Sequence, residues 1–277
     1  MTALSSQQLM VLGDEIEAAA FEDMYRAADG VAGLPAGIAA LHSGDLLLLQ
    51  ARGIPTSLFN RVIGVGLHRR VDDAQLADLT AHYQALGARD YWLHVTPTSF
   101  NQDLASRLRA LGYAPPARRS WARMRHDGPL AEIPGDLVIR AARREESTVI
   151  GQVATQAFGM PPFMEKWLAA LVNRPQWLCL VAEDRTRIVG VGMLYTRGDA
   201  AWLGVGGVLP THRRRGAHAN LMLARVRAAR DAGCGHVFTE TGEPIGDEPN
   251  PSLANMRRCG FVQLCSRLNF AGPPGGA

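Results

Sequence analysis

Lysine is almost missing from this chain of 277 residues: Lys166 is the only one, and arginine carries the rest of the positive charge. The formal net charge is +3 and the pI about 8.8, too mild for the basic face that nucleic acid demands, so no nucleic-acid partner is expected. Cysteine is scarce too. Cys179, Cys234, Cys259 and Cys265 form no C-x-x-C pair, which points to neither a zinc site nor a disulfide framework. The expectation is reduced thiols, no metal and a cytoplasmic location. No apolar run approaches the roughly 20 residues of a membrane span. Residues 1–20 carry Asp14, Glu15 and Glu17 and have neither a basic start nor a sustained apolar core, so they do not read as a signal peptide. With 47% hydrophobic residues and a mean hydropathy of −0.04, the chain reads as globular and long enough for two domains.

What is present is sharpest over residues 208–231. An apolar run stops at Pro210, three arginines and a glycine follow, and a helical pattern begins. That order is a strand, a tight basic loop and a helix start. The first-turn N–H groups of such a helix lack intrahelical partners and point out of its positive end, so the loop is a candidate anion site. Arg213 and Arg215 add charge, and Gly216 gives the backbone close access. Taken alone, the loop also fits a solvated turn. Its flanks argue otherwise: residues 177–183 and 187–195 are apolar runs around an Asp-Arg-Thr turn, a hairpin pattern. Downstream, Gly233 ends the helix, residues 236–241 read as a strand, and residues 250–258 read as a short helix closing on Gly260-Phe261.

The first half carries a similar order. Residues 5–28 have helical spacing, residues 37–42 and 45–51 read as paired strands around Ser43-Gly44, and residues 61–67 read as a third. Asp72 and Asp73 can cap a helix that ends at Gly87. A strand over 91–95, a helix over 101–111 closing on Gly112-Tyr113 and a strand over 121–125 follow. Leu86-Gly-Ala-Arg-Asp-Tyr-Trp-Leu-His-Val parallels Ala232-Gly-Cys-Gly-His-Val-Phe-Thr-Glu-Thr, and Asn101-Gln-Asp-Leu-Ala parallels Asn250-Pro-Ser-Leu-Ala. A long-period repeat results, with units 1–128 and 136–277 and a turn-rich linker between. Two unrelated α/β segments with ordinary turns are the alternative. The first unit has no glycine at the helix entrance after Leu67, so it reads as scaffold or as a wall of the substrate cleft.

Val208-Leu-Pro-Thr-His-Arg-Arg-Arg-Gly216 resembles the acetyl-CoA pyrophosphate loop of the GNAT superfamily of N-acyltransferases, Arg/Gln-x-x-Gly-x-Gly/Ala. Arg213 falls on the first position and Gly216 on the first glycine; His218 stands where a second small residue is usual. The resemblance extends over the second half and implies a tandem architecture with a degenerate first unit. The implied fold class is α/β (α+β), two GNAT-like units, each a mixed, mainly antiparallel sheet flanked by helices.

The resemblance also implies roles. The amides of Arg214, Arg215, Gly216, Ala217, His218 and Ala219 would wrap the pyrophosphate of acetyl-CoA. The main chain of Val208 and Leu209 would pair with pantetheine, and an amide near Val208 would serve the oxyanion. Ser252 and Asn255 precede Gly260-Phe261 as in a subgroup whose asparagine holds pantetheine, although a capping role suits Asn255 equally. The usual tyrosine acid would fall at position 256, which is Met256. Glu240, at the end of its strand, is the candidate base, with Glu243 nearby; Tyr195 and His218 are weaker candidates. Phe163, Trp167, Leu168 and Leu171 form a helical apolar stripe that, by resemblance, also covers the acceptor site. The expected activity is acetyl transfer to a primary amine of a small molecule, in a monomer or homodimer. An acyl-CoA-binding regulatory module without turnover, or an acetyltransferase acting on protein N-termini or lysines, are the alternatives.

Overall fold

Ser5 starts the first helix through a capping box: its side chain accepts from the Gln8 amide, and the Gln8 side chain accepts from the Ser5 amide. The computed structural model describes residues 4–54, 56–88 and 90–273. The first half runs α1 (Ser6–Arg26), β1 (Ile38–Ser43), β2 (Leu46–Ala51), β3 (Arg61–Ile63), α2 (Asp73–Leu86), β4 (Trp92–Val95), α3 (Gln102–Ala110) and β5 (Ser120–His126). Asp72 caps α2, and Gly87 closes it in the left-handed conformation. The strand expected over 61–67 stops at Ile63. Gly64 takes a φ of +93°, and a Cβ there would lie 2.9 Å from the Asp45 carbonyl, so the chain turns instead of extending.

The second half runs β6 (Val138–Ala141), α4 (Ser147–Phe158), α5 (Met164–Ala170), β7 (Trp177–Asp184), β8 (Arg187–Arg197), β9 (Ala200–Val208), α6 (Ala217–Asp231), β10 (His236–Gly242), α7 (Pro251–Arg258) and β11 (Phe261–Ala271). The segments β3-α2-β4-α3-β5 and β9-α6-β10-α7-β11 repeat one order of elements. In each, the first two strands pair in parallel, β3 with β4 and β9 with β10. All other ladders are antiparallel.

The strands of both halves form one sheet of eleven, ordered β1-β2-β3-β4-β11-β5-β10-β9-β8-β7-β6. Each half lends its last strand to the other. β5 lies between β10 and β11, and β11 lies between β4 and β5. Helix α1 packs across the join, against β1 and β2 on one side and β8, β9 and β11 on the other. Trp167 Nε1 donates to the Met24 carbonyl at 2.6 Å, and Arg174 and Trp177 both bond Asp23, which ties the end of α1 to the second half.

Beneath α1 lies a buried group of charges. Asp14 and Glu17 of α1 meet Arg61 of β3, Arg123 of β5, Arg267 of β11 and Glu240 of β10. Three guanidinium groups face three carboxylates, and five elements from both halves contribute. Pairing of this kind offsets a large desolvation cost only while every partner is in place.

Candidate active site

Parallel pairing between β9 and β10 is short. Ala200–Trp202 pair with His236–Phe238, and the Thr239 hydroxyl then donates to the Leu203 carbonyl at 2.9 Å. Beyond that point no ladder joins the strands. β9 also bulges there: its register against β8 slips between Val191 and Met193, and Val205 adopts a φ of +41°. A wedge opens between β9 and β10, and Gly204, Val205 and Gly206 line it with half-exposed backbone.

The strand leads to the basic loop. The Leu209 amide donates to the Val189 carbonyl at 2.9 Å, and its carbonyl accepts from His212 at 2.9 Å. Leu209 thus has its amide and one lone pair of its carbonyl engaged within the chain. Successive residues of a strand face opposite edges, so the Val208 main chain faces the wedge. Its carbonyl accepts from Arg213 Nε at 3.2 Å, and Arg213 Nη2 reaches the Ala157 carbonyl at 3.1 Å. Arg213 therefore braces the root of the loop.

Arg214 and Gly216 both take left-handed φ values, +64° and +77°. No side chain caps α6, so its first-turn amides stay free for an anion. Arg215 is ion-paired to Asp136 and to Asp184 (2.6 Å). Arg214 is exposed and makes no ion pair among the described residues. The linker packs on this loop: a Cβ on Gly216 would lie 2.3 Å from the Pro134 carbonyl. Residues 131–136, Arg214, Arg215, Gly216 and Arg258 line an open hollow of ≈ 810 Å³.

Ala217 and Ala219 are buried on the sheet side of α6. His218 stands near the wedge, with its Nδ1 3.3 Å from Asn255 Nδ2 of α7. Burial, seconded by the charge of Arg225, pushes the His218 pKa down to about 4, so its ring is neutral at pH 7. Met256 is buried beside Cys259 in the core that α6 and α7 share. No polar group occupies that position. Asn250, and not Asn255, caps α7.

The two side chains expected to handle protons lie elsewhere. Tyr195 is 5% exposed, packs on Trp177 with ring centroids 5.2 Å apart, and has its pKa raised by burial. The Glu240 side chain is 6% exposed and bonds Arg61 at 3.2 Å and Arg267. It belongs to the buried charge group rather than to an open strand end, because β5 beside β10, and β11 beyond β5, bring Arg123 and Arg267 to it. Burial raises its pKa against the pull of Arg267. Glu243 bonds Ser120, Ser266 and Gln263. Trp167 is wholly buried in the core.

A second cavity, ≈ 520 Å³, opens between the halves. Ser57, Trp92, Arg118 and Trp121 line it from the first half, and Thr241 and Ser252 from the second. The Trp121 Nε1 is buried and has no partner among the described residues. Sequence reasoning missed this cavity, since its lining converges from both halves.

Residues 141–261 match the family model described as Acetyltransferase (GNAT) family. This segment is a GNAT acetyltransferase domain, in a family whose general reaction is acetyl transfer with acetyl-CoA as cosubstrate. The whole chain is similar in fold to a GCN5-related N-acetyltransferase from Kribbella flavida, at 17% identity and a TM-score of 0.61, covering 91% of this chain and 96% of that one. A GCN5-related N-acetyltransferase from Sphaerobacter thermophilus gives 17% identity and 0.59, covering 98% and 95%. A tandem GNAT protein from the clavulanic acid biosynthesis pathway gives 18% and 0.58, covering 99% and 98%. No curated protein matches the sequence. No helix among the described residues is long and apolar enough to cross a membrane, and no group of three or more potential metal ligands occurs there.

Proposed function

We propose that the protein is an acetyl-CoA-dependent N-acetyltransferase that acts through its second half on a primary amine of a small molecule. In this reading residues 1–128 and 136–277 are two GNAT-like units, and only the second holds cosubstrate. The observation that carries it is the uncapped start of α6 at the mouth of the β9–β10 wedge, with Arg214 and Gly216 in left-handed conformations. The amides from Arg214 to Ala219 would take the pyrophosphate. Pantetheine would then run along the Val208 edge, with Ser252 and Asn255 on its far side, which brings the thioester to the bulge at Gly204–Gly206.

There the amine nitrogen attacks the acyl carbon in a ternary complex, and backbone amides of the bulge are aligned with the developing oxyanion. Tyr195 and Glu240 are both too enclosed to meet the amine, which would enter as its free base. The cavity between the halves, of a size for a small molecule and with Trp92 and Trp121 on its walls, favours a small acceptor over a protein chain. Met256 favours one other reading, a module that binds acyl-CoA without turnover, since no acid stands at that position. A panel of small amines assayed for free CoA separates the two: release with at least one amine supports transfer, and binding of acetyl-CoA without release across the panel supports the module.

A further inference from the structure

Four arginines among the described residues are almost wholly buried, and one differs from the rest. Arg61, Arg123 and Arg267 each pair with Glu17. Arg225 of α6, 2% exposed, meets no carboxylate among the described residues. It donates only to main-chain carbonyls: Leu221 at 3.1 Å, Met193 at 3.2 Å and Gly204 at 2.9 Å. The other titratable groups around it are the Cys179 thiol of β7, the Cys259 thiol that follows α7, and His218 two turns earlier on α6. Burial pushes the thiols up, to about 12 and about 11, and His218 is held down at about 4, so all three are neutral at pH 7. Burial also lowers Arg225, but only to about 10, and it stays charged. A buried cation without a counter-ion is costly to maintain.

The strands above make room for it. A Cβ on Gly192 of β8 would lie 2.8 Å from Arg225 Nε, and one on Gly206 of β9 would lie 2.8 Å from Nη2. Nη2 has no hydrogen-bond partner among the described residues. The unused edge of the guanidinium therefore lies against Gly206, in the bulge where β9 parts from β10, and the His218 ring bonds the main chain of the same glycine.

We infer that Arg225 supplies the positive charge that stabilises the thiolate leaving CoA. The inference rests on the reading that acetyl-CoA lies in the wedge with its thioester at the bulge. The amine nitrogen forms the C–N bond, the C–S bond breaks, and the electron pair leaves on sulfur. The proton lost by nitrogen passes to solvent, and the guanidinium balances the thiolate without giving up a proton. No acid is then required at position 256.

The test compares CoA with desulfo-CoA, which lacks the sulfur, in binding titrations on the full chain from about pH 6 to about pH 9, across the ordinary thiol range near 8.5. A cation beside the sulfur lowers the pKa of the bound thiol, so CoA should bind more tightly at the upper pH, by up to about tenfold for each unit of lowering, while desulfo-CoA stays flat. Arg225→Met should abolish the rise, and Arg225→Lys should keep part of it. If Arg225 only held the bulge carbonyls, its loss would weaken both ligands alike. Equal pH dependence of CoA and desulfo-CoA on the unaltered protein would overturn the inference and leave the cosubstrate reading standing, and needs no variant to fold. Failure of both ligands to bind would remove the reading beneath it.

Discussion

Replacing Glu17 with glutamine should cost this protein a large part of its stability. The Glu17 side chain is fully buried and lies 2.5 Å from Arg123, 3.1 Å from Arg267 Nη2 and 3.4 Å from Arg61. Glutamine keeps the shape and removes one negative charge, which leaves three guanidinium groups facing only Asp14 and Glu240. The Nε atoms of all three arginines are already buried without partners, so the group has no spare acceptors. Breaking a buried pair from one side costs about 3–5 kcal/mol, against a total of about 5–15 kcal/mol for a folded domain. Urea denaturation at pH 7 reads the loss as a lower midpoint with an unchanged slope. Pairing Glu17→Gln with Arg123→Met rebalances the charges and should recover part of it. pH gives a second reading. Burial pushes the Glu17 pKa up, but the three arginines outweigh it and hold it well below the ordinary carboxylate value. Its stabilisation is therefore full above the unfolded value near about 4.3 and is lost as pH falls through the folded value. Glu240, raised by burial, contributes in the opposite sense: stability falls as pH rises from about 4.3 through its folded value. The difference between parent and Glu17→Gln isolates Glu17. A loss below about 1 kcal/mol at pH 7 would refute the claim that these charges hold the halves together.

Three further outcomes are expected. Gly216→Glu puts a side chain and a negative charge at a left-handed position against the Pro134 carbonyl, and isothermal titration should show acetyl-CoA affinity down by at least about 2 kcal/mol; parental affinity would mean that the anion lies elsewhere. Residues 136–277 expressed alone lack β5, and β11 then loses both neighbours, so the fragment should be poorly soluble; a soluble fragment with unaltered acceptor kinetics would show the first half to be an appendage. Glu240→Gln should cost less stability than Glu17→Gln, because burial holds the Glu240 carboxyl above its ordinary value, and acetyl-CoA affinity should stay put; a turnover drop of about 10²-fold at unchanged stability would return the carboxylate to the role of base.

The features legible in the sequence were those that local chemistry decides. Asp72 and Gly87 mark the ends of α2, and the Pro210–Gly216 run marks the loop before α6, because caps and left-handed turns depend on residues a few positions apart. The exchange of β5 and β11 was not legible, since both strands can pair with either parallel pair. β11 itself escaped notice because its buried positions include Arg267 and Asn269, which hide the alternation a half-buried strand usually displays. The surroundings of Glu240 were hidden for the same reason: Arg123 and Arg267 come from those two strands, and Arg61 comes from β3. Arg225, in the run Ala-Arg-Val-Arg-Ala-Ala-Arg, reads as one more residue of a solvated basic face. Only Gly192 and Gly206, distant in sequence, reveal the space it fills.

The most direct test of transfer through the second half is a product balance on the full chain. Acetyl-CoA is incubated with the amine that gives the greatest CoA release, and free CoA and acetylated amine are both measured by mass spectrometry, with Gly216→Glu in parallel. One acetylated amine is expected for each CoA released by the parent, and both products should be lost in the variant. CoA release without acetylated amine, or full turnover in Gly216→Glu, would contradict it.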